Sequence, residues 1–311
     1  MLKKKALKRI FITTVAIFVV LIVYTLTNIG NDTIIYDDAT YIKNSDMQTI
    51  YSLNNDNFIS KTTVYVDDKL TLEEKVKSLL EVMIEKNNKN ALLPSNFKPI
   101  LPKNTEVLNV ELDTDILKVD FSKELLNITK EQSEKMLEAI IYTLTEFDNV
   151  LGIEIYVDGK LLEYLPNTEK KLPSLLNKEF GINKVYNITS NNNINKVLLY
   201  YYTKDNNNLY HVPVTKYLND SREKIEIIVE ELSNSYIYEK NLISFLTNAE
   251  LVNYEIKENV FTLVFNEEIT KENEKGIEAL LYSIFDNYDI DTIKIMAENT
   301  KFLEKNRKDI E

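Results

Sequence analysis

Few residues in this 311-residue chain are equipped for chemistry, and their spacing argues against most reactions. His211 is the only histidine and cysteine is absent. Histidine metal clusters, imidazole relays, thiolate sites and disulfides are excluded together. His211 lies in Leu209-Tyr210-His211-Val212-Pro213, an alternating strand, where a structural or surface role outweighs that of a general base. Glu146 and Asp148 resemble the acid pair of a glycosidase, but with 49 acidic residues such neighbours arise by chance. Asp113-Thr114-Asp115 and Asp67-Asp68 lack the ligand spacing of a calcium loop and read as solvated turns. Tyr200, Tyr201 and Tyr202 offer rings for stacking on a sugar or a partner. Alternation in a strand buries some of them, so core packing is at least an equal reading. The five glycines are too scattered for a phosphate-cradling loop. No catalytic, cofactor-binding or metal-binding residue is therefore expected.

The elements that would position any site are duplicated. Glu106 to Phe121 recurs 144 positions later, with Glu106 on Glu250, Asn109 on Asn253, Glu111 on Glu255 and Phe121 on Phe265. Leu108, Val110 and Leu112 alternate with polar residues, as do Val252, Tyr254 and Ile256. After a polar turn, Leu117, Val119 and Phe121 answer to Phe261, Leu263 and Phe265. Period-two alternation on both sides of a short break predicts a β-hairpin with one buried face. A helix follows in each copy, with the stripe Leu137, Ile140, Ile141 and Leu144 repeated at an offset of 140 by Ile277, Leu280, Leu281 and Ile284. At that offset Asp286 and Tyr288 stand where Glu146 and Asp148 stood, so the acid pair is not reproduced. A last strand, Ile153-Glu154-Ile155, returns as Ile293-Lys294-Ile295.

In chain order, Lys3, Lys4, Lys5, Lys8 and Arg9 precede an uncharged run from Ile10 to Leu26. Ile10, Phe11, Val15, Phe18, Val19, Leu21, Val23 and Leu26 give that run the apolar surface of a membrane anchor, at the short end of what spans a bilayer. Positive charge before it and acidic residues after it put the N-terminus in the cytoplasm and the bulk of the chain outside. A cleaved signal peptide would share the basic start; the long apolar run and the lack of a small-x-small site favour a retained anchor. With five of the 37 basic residues spent before residue 10, the rest sets 32 against 49 acidic ones, which disfavours nucleic acid.

Residues 27–60 are polar and read as an irregular stalk. Thr63-Val64-Tyr65-Val66 opens the first domain as a strand. Capping boxes at Thr71-Glu74 and Thr129-Gln132 start its two helices. The first domain with an extension covers 61–186, and Pro173 to Phe180 reads as a short helix within it. A linker at 187–196 leads to a second domain at 197–300, with a hairpin through Leu209 to Lys216 and a helix capped by Asp220. A charged, frayed tail fills 301–311. The fold class is α+β: a tandem repeat of two small β-α-β-β-α-β domains, each one sheet with two helices on one face, after one transmembrane helix.

Pro102-Lys103-Asn104-Thr105, Val119-Asp120-Phe121-Ser122, Thr143-Leu144-Thr145-Glu146-Phe147 and Val157-Asp158-Gly159 together resemble the GerMN family of sporulation and spore germination domains. The second copy keeps Val212-Pro213-Val214 and Leu263-Val264-Phe265-Asn266 but has Ser283-Ile284-Phe285 and Ala297-Glu298 elsewhere. By this comparison the first copy lacks the early hairpin strand that the second keeps. The resemblance implies a ring-building-motif-like module in an extracytoplasmic sporulation or germination protein, with no catalytic residue to carry over. The expected role is a membrane-anchored scaffold that associates with proteins of a sporulation complex, or with itself by strand addition at Val64 and Val197. The alternative is an accessory that binds or remodels peptidoglycan.

Overall fold

The computed structural model describes residues 45–310 except 206–207, 235–240, 248, 267–268, 270–273 and 298–299. They belong to one compact unit, Asn44–Glu311. Its first half opens on an antiparallel hairpin, β1 (Ser45–Asn54) with β2 (Ile59–Asp67), followed by helix α1 (Leu72–Val82) and a short strand β3 (Phe97–Lys98) that pairs with β1. A second sheet has the order β4-β5-β6-β7: β4 (Val107–Asp113), β5 (Ile116–Phe121), β6 (Gly152–Val157) and β7 (Lys160–Leu161). Helix α2 (Lys130–Leu144) makes the crossover between the parallel strands β5 and β6.

The second half repeats this plan. β8 (Val185–Asn187) lies beside the hairpin β9 (Ile194–Asp205) and β10 (Asn208–Asn219), in the order β8-β10-β9. Helix α3 (Lys224–Ser233) follows. Then come β11 (Leu251–Lys257), β12 (Val260–Phe265), helix α4 (Glu274–Asn287), β13 (Thr292–Ala297) and β14 (Thr300–Asn306), in the sheet order β11-β12-β13-β14.

The offset of 144 is visible in individual hydrogen bonds. The Ser122 hydroxyl accepts the Glu106 amide and the Asn266 side chain accepts the Glu250 amide, at 3.0 and 3.3 Å. Both outer strands carry a bulge at the same place, between Val107 and Asn109 and between Leu251 and Asn253. The bulge turns Leu108 and Val252 outward, so the apolar series on the outer strand is only partly a core face. The inner strands meet the expectation fully: Leu117, Val119, Phe121, Phe261, Leu263 and Phe265 are buried.

The helices are started and seated by side-chain hydrogen bonds. Thr71 and Glu74 form a complete capping box. At Thr129 only half of one forms: its hydroxyl takes the Gln132 amide. Thr143 of α2 accepts the Tyr51 amide of β1, and Ser283 of α4 accepts the Tyr200 amide of β9, both at 2.9 Å. A hydroxyl 140 residues apart thus docks each crossover helix on its hairpin. Two clusters of buried apolar residues result, and the first takes in Leu198, Tyr200, Tyr202 and Ala279 from the second half.

Several expectations are corrected. Residues 45–60 are a hairpin and no stalk, so the first copy does possess the early strand. It escaped notice because β1 is buried on both faces at Ile50, Tyr51 and Ser52 and hides polar residues. Ser52 donates to the Lys98 carbonyl and Asn54 to the Ser60 hydroxyl. Each half holds two sheets in place of one. Asp220 caps no helix; α3 starts one turn later, at the N-cap Glu223, and Asp220 binds Arg222. Only 178–180 of the short helix expected at 173–180 is helical, as a 3-10 turn. Strand β9 begins at Ile194, inside the expected linker, and most of the expected tail is β14.

Gly276 on α4 yields a sharp test of this packing. A Cβ there would stand 2.4 Å from the Leu246 nitrogen and 2.5 Å from the Phe245 carbonyl carbon, both backbone atoms that cannot swing aside. The helix propensity gained by Gly276→Ala, about 1 kcal/mol, is therefore outweighed. Urea unfolding of Gly276→Ala should show a net loss of about 2 kcal/mol or more.

Candidate functional site: the polar clasp and cleft between the halves

The connection between the halves is tied to both of them by side-chain hydrogen bonds and ion pairs. Asn177 caps a turn whose last residue, Gly181, takes φ +80°, and Asn183 takes φ +45°. These left-handed positions, natural to Gly and Asn, fold the segment back on itself. Ile182 is fully buried; its amide donates to the Thr215 hydroxyl and its carbonyl accepts the Thr215 amide. The Asn183 side chain accepts the Ile59 amide (2.9 Å) and donates to the carbonyls of Ile59 (2.7 Å) and Pro213 (2.8 Å). One amide thus joins β2 of the first half to β10 of the second. Its own backbone N–H donates to Glu138 at 2.9 Å.

Charges complete the clasp. Lys184 lies between Glu134 (2.8 Å) and Glu138 (3.3 Å), with its ammonium 3.7 Å from the centre of the Phe180 ring. Burial pushes the Glu138 carboxyl up, and Lys184 only partly offsets it. Lys178 reaches Glu146 at 2.8 Å and Asp286 at 3.5 Å, carboxylates at equivalent places in the two halves. Burial alone would lower the Lys178 ammonium, but Asp286 and Glu146 outweigh it and hold it raised. Glu146 also meets Lys61 at 3.6 Å. Burial would raise Glu146, yet Lys178 and Lys61 keep it below the usual carboxylate range. Tyr51 donates to Glu146 and Tyr200 to Asp286, so one tyrosine from each half frames the bridge. Burial and the adjacent carboxylate raise each phenol well above its ordinary value.

The clasp forms one wall of an open cleft of about 930 Å³ lined by Lys61, Glu146, Lys178, Tyr282, Asp286 and Arg307. Arg307 is anchored, donating to the carbonyls of Tyr288 and Ile290. Asp148 also lines this cleft, but Glu146 is already paired with two lysines. A glycosidase acid must hold its proton near neutrality; Glu146 is held ionised, and Glu138, whose carboxyl is raised, is buried under Lys184.

His211 lies in an aromatic box, its ring centre 4.5 Å from that of Tyr202 and 4.8 Å from that of Tyr282. Its Nε2 makes no hydrogen bond and stands 4.0 Å from Glu278. Burial pulls the imidazole down to about 4, against the opposing pull of Glu278. The expected structural role fits this setting. Tyr200, Tyr201 and Tyr202 are all buried, which removes the stacking surface considered for them. Asp113 pairs with Lys118 at 2.6 Å beside the turn residue Thr114 (φ +62°), and no metal cluster occurs among the described residues.

Two motifs of the first domain meet in space: Asp120 accepts the Gly159 amide at 3.1 Å, closing the Asp158-Gly159 turn. Position 264, its repeat equivalent, is Val264. Lys61, Lys178 and Asn183 were missed by sequence reasoning; nothing in a polar connection marks which residues will be buried. The anchor residues Ile10, Phe11, Val15, Phe18, Val19, Leu21, Val23 and Leu26, and the charges Lys3, Lys4, Lys5, Lys8 and Arg9, lie outside the described residues. Among the described residues no helix is long and apolar enough to cross a membrane.

Residues 49–163 match the model of a family described as sporulation and spore germination. The chain is 26% identical over 228 residues to the spore germination protein GerM of Bacillus subtilis (strain 168), across 72% of this chain and 61% of that protein. It thus spans about three-fifths of the length of that curated relative. The solved tandem GerMN domains of the Bacillus subtilis sporulation protein GerM share the fold, with a TM-score of 0.75 and 22% identity over 82% of this chain and 92% of the other.

Two substitution series check the clasp. Lys178→Met leaves Glu146 and Asp286 without their shared cation and should cost about 3 kcal/mol or more in urea unfolding, with part regained on adding Glu146→Gln. Acid should destabilise the protein in two windows. His211 is neutral when folded and binds a proton near pH 6.5 when unfolded. Its contribution, on the order of 3 kcal/mol, is present above about pH 6.5 and lost as pH falls to about 4. Glu146 contributes only while ionised, so its share is lost as pH falls below the ordinary glutamate range. His211→Gln should flatten the upper window alone, and Glu146→Gln the lower.

Proposed function

We propose, from the match of residues 49–163 to the model of a family described as sporulation and spore germination, that this protein is a non-catalytic scaffold of sporulation or spore germination that acts by protein–protein association. In this reading the apolar segment at 10–26 holds it in the cell membrane as a single-pass protein, with the bulk of the chain outside the cytoplasm.

One observation carries the proposal. Each half presents a bulged outer strand, β4 or β11, at the edge of its four-stranded sheet. Each edge leaves large apolar side chains in solvent: Leu108 is 48% exposed, Val252 65% and Ile256 49%. Exposed apolar side chains on an unpaired strand edge suit a protein partner. The edges first expected to pair, at Val64 and Val197, are less open: both side chains are buried, and Tyr202 of β9 already exchanges two backbone hydrogen bonds with Ile243. The clasp supports the same reading, since it holds the two edges in fixed relation.

Crosslinking in sporulating cells, followed by identification of what is captured, tests this. Leu108→Lys with Val252→Lys places charge on exposed positions, so the fold should survive and capture should fall several-fold. Recovery of no partner, with turnover of purified peptidoglycan by the isolated protein, would reverse the reading in favour of wall remodelling.

A further inference from the structure

The cleft between the halves has a smaller cavity on either side of it. One of about 320 Å³ shares Gln48, Glu146, Phe147 and Asp148 with it. Another of about 210 Å³ shares Lys178, Glu179, Asp286 and Asn287 with it. The two small cavities have no lining residue in common, so the large one lies between them and the three form a row. The offset of 140 organises that row. Glu146 and Phe147, just past the end of α2, line one end, and their equivalents Asp286 and Asn287, at the end of α4, line the other.

The charges of the row nearly cancel. Six lysine and arginine side chains and five carboxylates line it, in a protein whose 49 acidic residues outnumber its 37 basic ones. On its floor Lys61 and Lys178 are paired with Glu146 and Asp286, at 2.8 to 3.6 Å. A charged ligand gains a partner there only by breaking one of these pairs, which strands an ion. A hydroxyl breaks none: it donates to a carboxylate or accepts from an ammonium while both ions keep their partners. The floor is within reach, since these four side chains are 14% to 33% exposed. Rings stand beside the ions. Phe147 sits where two cavities meet, Tyr282 and Tyr288 line the central one, and all three are half-buried. The central cavity is near the top of the roughly 300–1,000 Å³ that small ligands fill. Its neighbours extend it further, which suits a chain better than a single small molecule.

We propose that this row of cavities binds an uncharged polysaccharide chain, laid from the turn at 146–148 to Asn287. Its hydroxyls meet the ion pairs of the floor, and the apolar faces of its sugar rings lie against Phe147, Tyr282 and Tyr288. The chain is held and not cut. Glycoside hydrolysis needs a carboxyl that keeps its proton near neutrality; against its own burial, Glu146 is held ionised by Lys178 and Lys61. This site is separate from the strand edges of the association reading, because none of its lining residues belongs to β4 or β11.

The probes are two soluble uncharged hexasaccharides, of β-1,4-linked N-acetylglucosamine and of β-1,4-linked glucose, each titrated calorimetrically into the full chain. Amide exchange maps the footprint. Saturable binding of at least one is expected, with new protection at 145–151 and 282–289 and no release of shorter oligomers. Because the ligand carries no charge, raising the salt ten-fold should change the affinity by no more than about two-fold. Phe147→Leu keeps an apolar side chain but removes the ring, and should weaken binding roughly five-fold. Asp148→Ala, at an exposed position, removes an acceptor and should weaken it to a similar degree, about five-fold. That variant should unfold thermally like the parent, so its loss reports the site and not the fold. Failure of both hexasaccharides to bind at millimolar concentration, indifference to both substitutions, or a footprint elsewhere would overturn the proposal. Tighter binding of oligolysine or of an acidic polysaccharide in the same footprint would assign the row to a charged partner and overturn it too. Partner capture in cells that persists while neither hexasaccharide binds would remove this site and leave the association reading intact.

Discussion

A polar segment wedged between two cores must find a partner for each donor and acceptor it buries, and residues 178–184 show how much structure that requirement sets. An unsatisfied buried group costs about 1–3 kcal/mol, so Asn183 with four hydrogen bonds and Lys184 with two carboxylates leave little room for the halves to shift. The partners come from everywhere: β2, β10, α2 and α4 each supply one or more. The segment is therefore less a linker than the shared edge of both halves. Its left-handed turns at Gly181 and Asn183 let it enter the interface, present side chains to both sides and leave as β8.

Duplication explains why the clasp is nearly symmetric. Tyr51 and Tyr200, Thr143 and Ser283, and Glu146 and Asp286 are matched pairs, and Lys178 belongs to neither repeat. A single cation placed between two equivalent acids offsets both, which an isolated half could not do. The cost is specificity of arrangement, because without the connection Glu146 keeps only Lys61 and Asp286 has no lysine or arginine partner among the described residues. The asymmetries are equally informative: Asp120 closes a turn that Val264 cannot, and Glu138 is buried under Lys184 whereas the side chain of its counterpart Glu278 is 45% exposed.

Much of this was legible in the sequence. The hairpins at 107–121 and 251–265, the helical stripes and the final strands follow from periodicity, since one face of each is buried. The hairpin at 45–67 was half hidden because β1 is buried on both faces, so alternation fails as a signal, and because Ser52 and Asn54 are satisfied inside. The tail was misread because charged residues such as Lys305 sit on a sheet edge, where charge is compatible with pairing. Of the site, only the correspondence of Glu146 with Asp286 could be read from the repeat. That they share Lys178 is a property of the fold.

The central claim is that the clasp makes one cooperative unit of two repeats, and native-state amide exchange on the full chain measures this most directly. The account predicts that the slowest amides of α2 and α4, at Ile140 and Leu280, report the same opening free energy and fall together in Asn183→Ala. Opening of α4 alone, with α2 still protected at its original level in that variant, would contradict it.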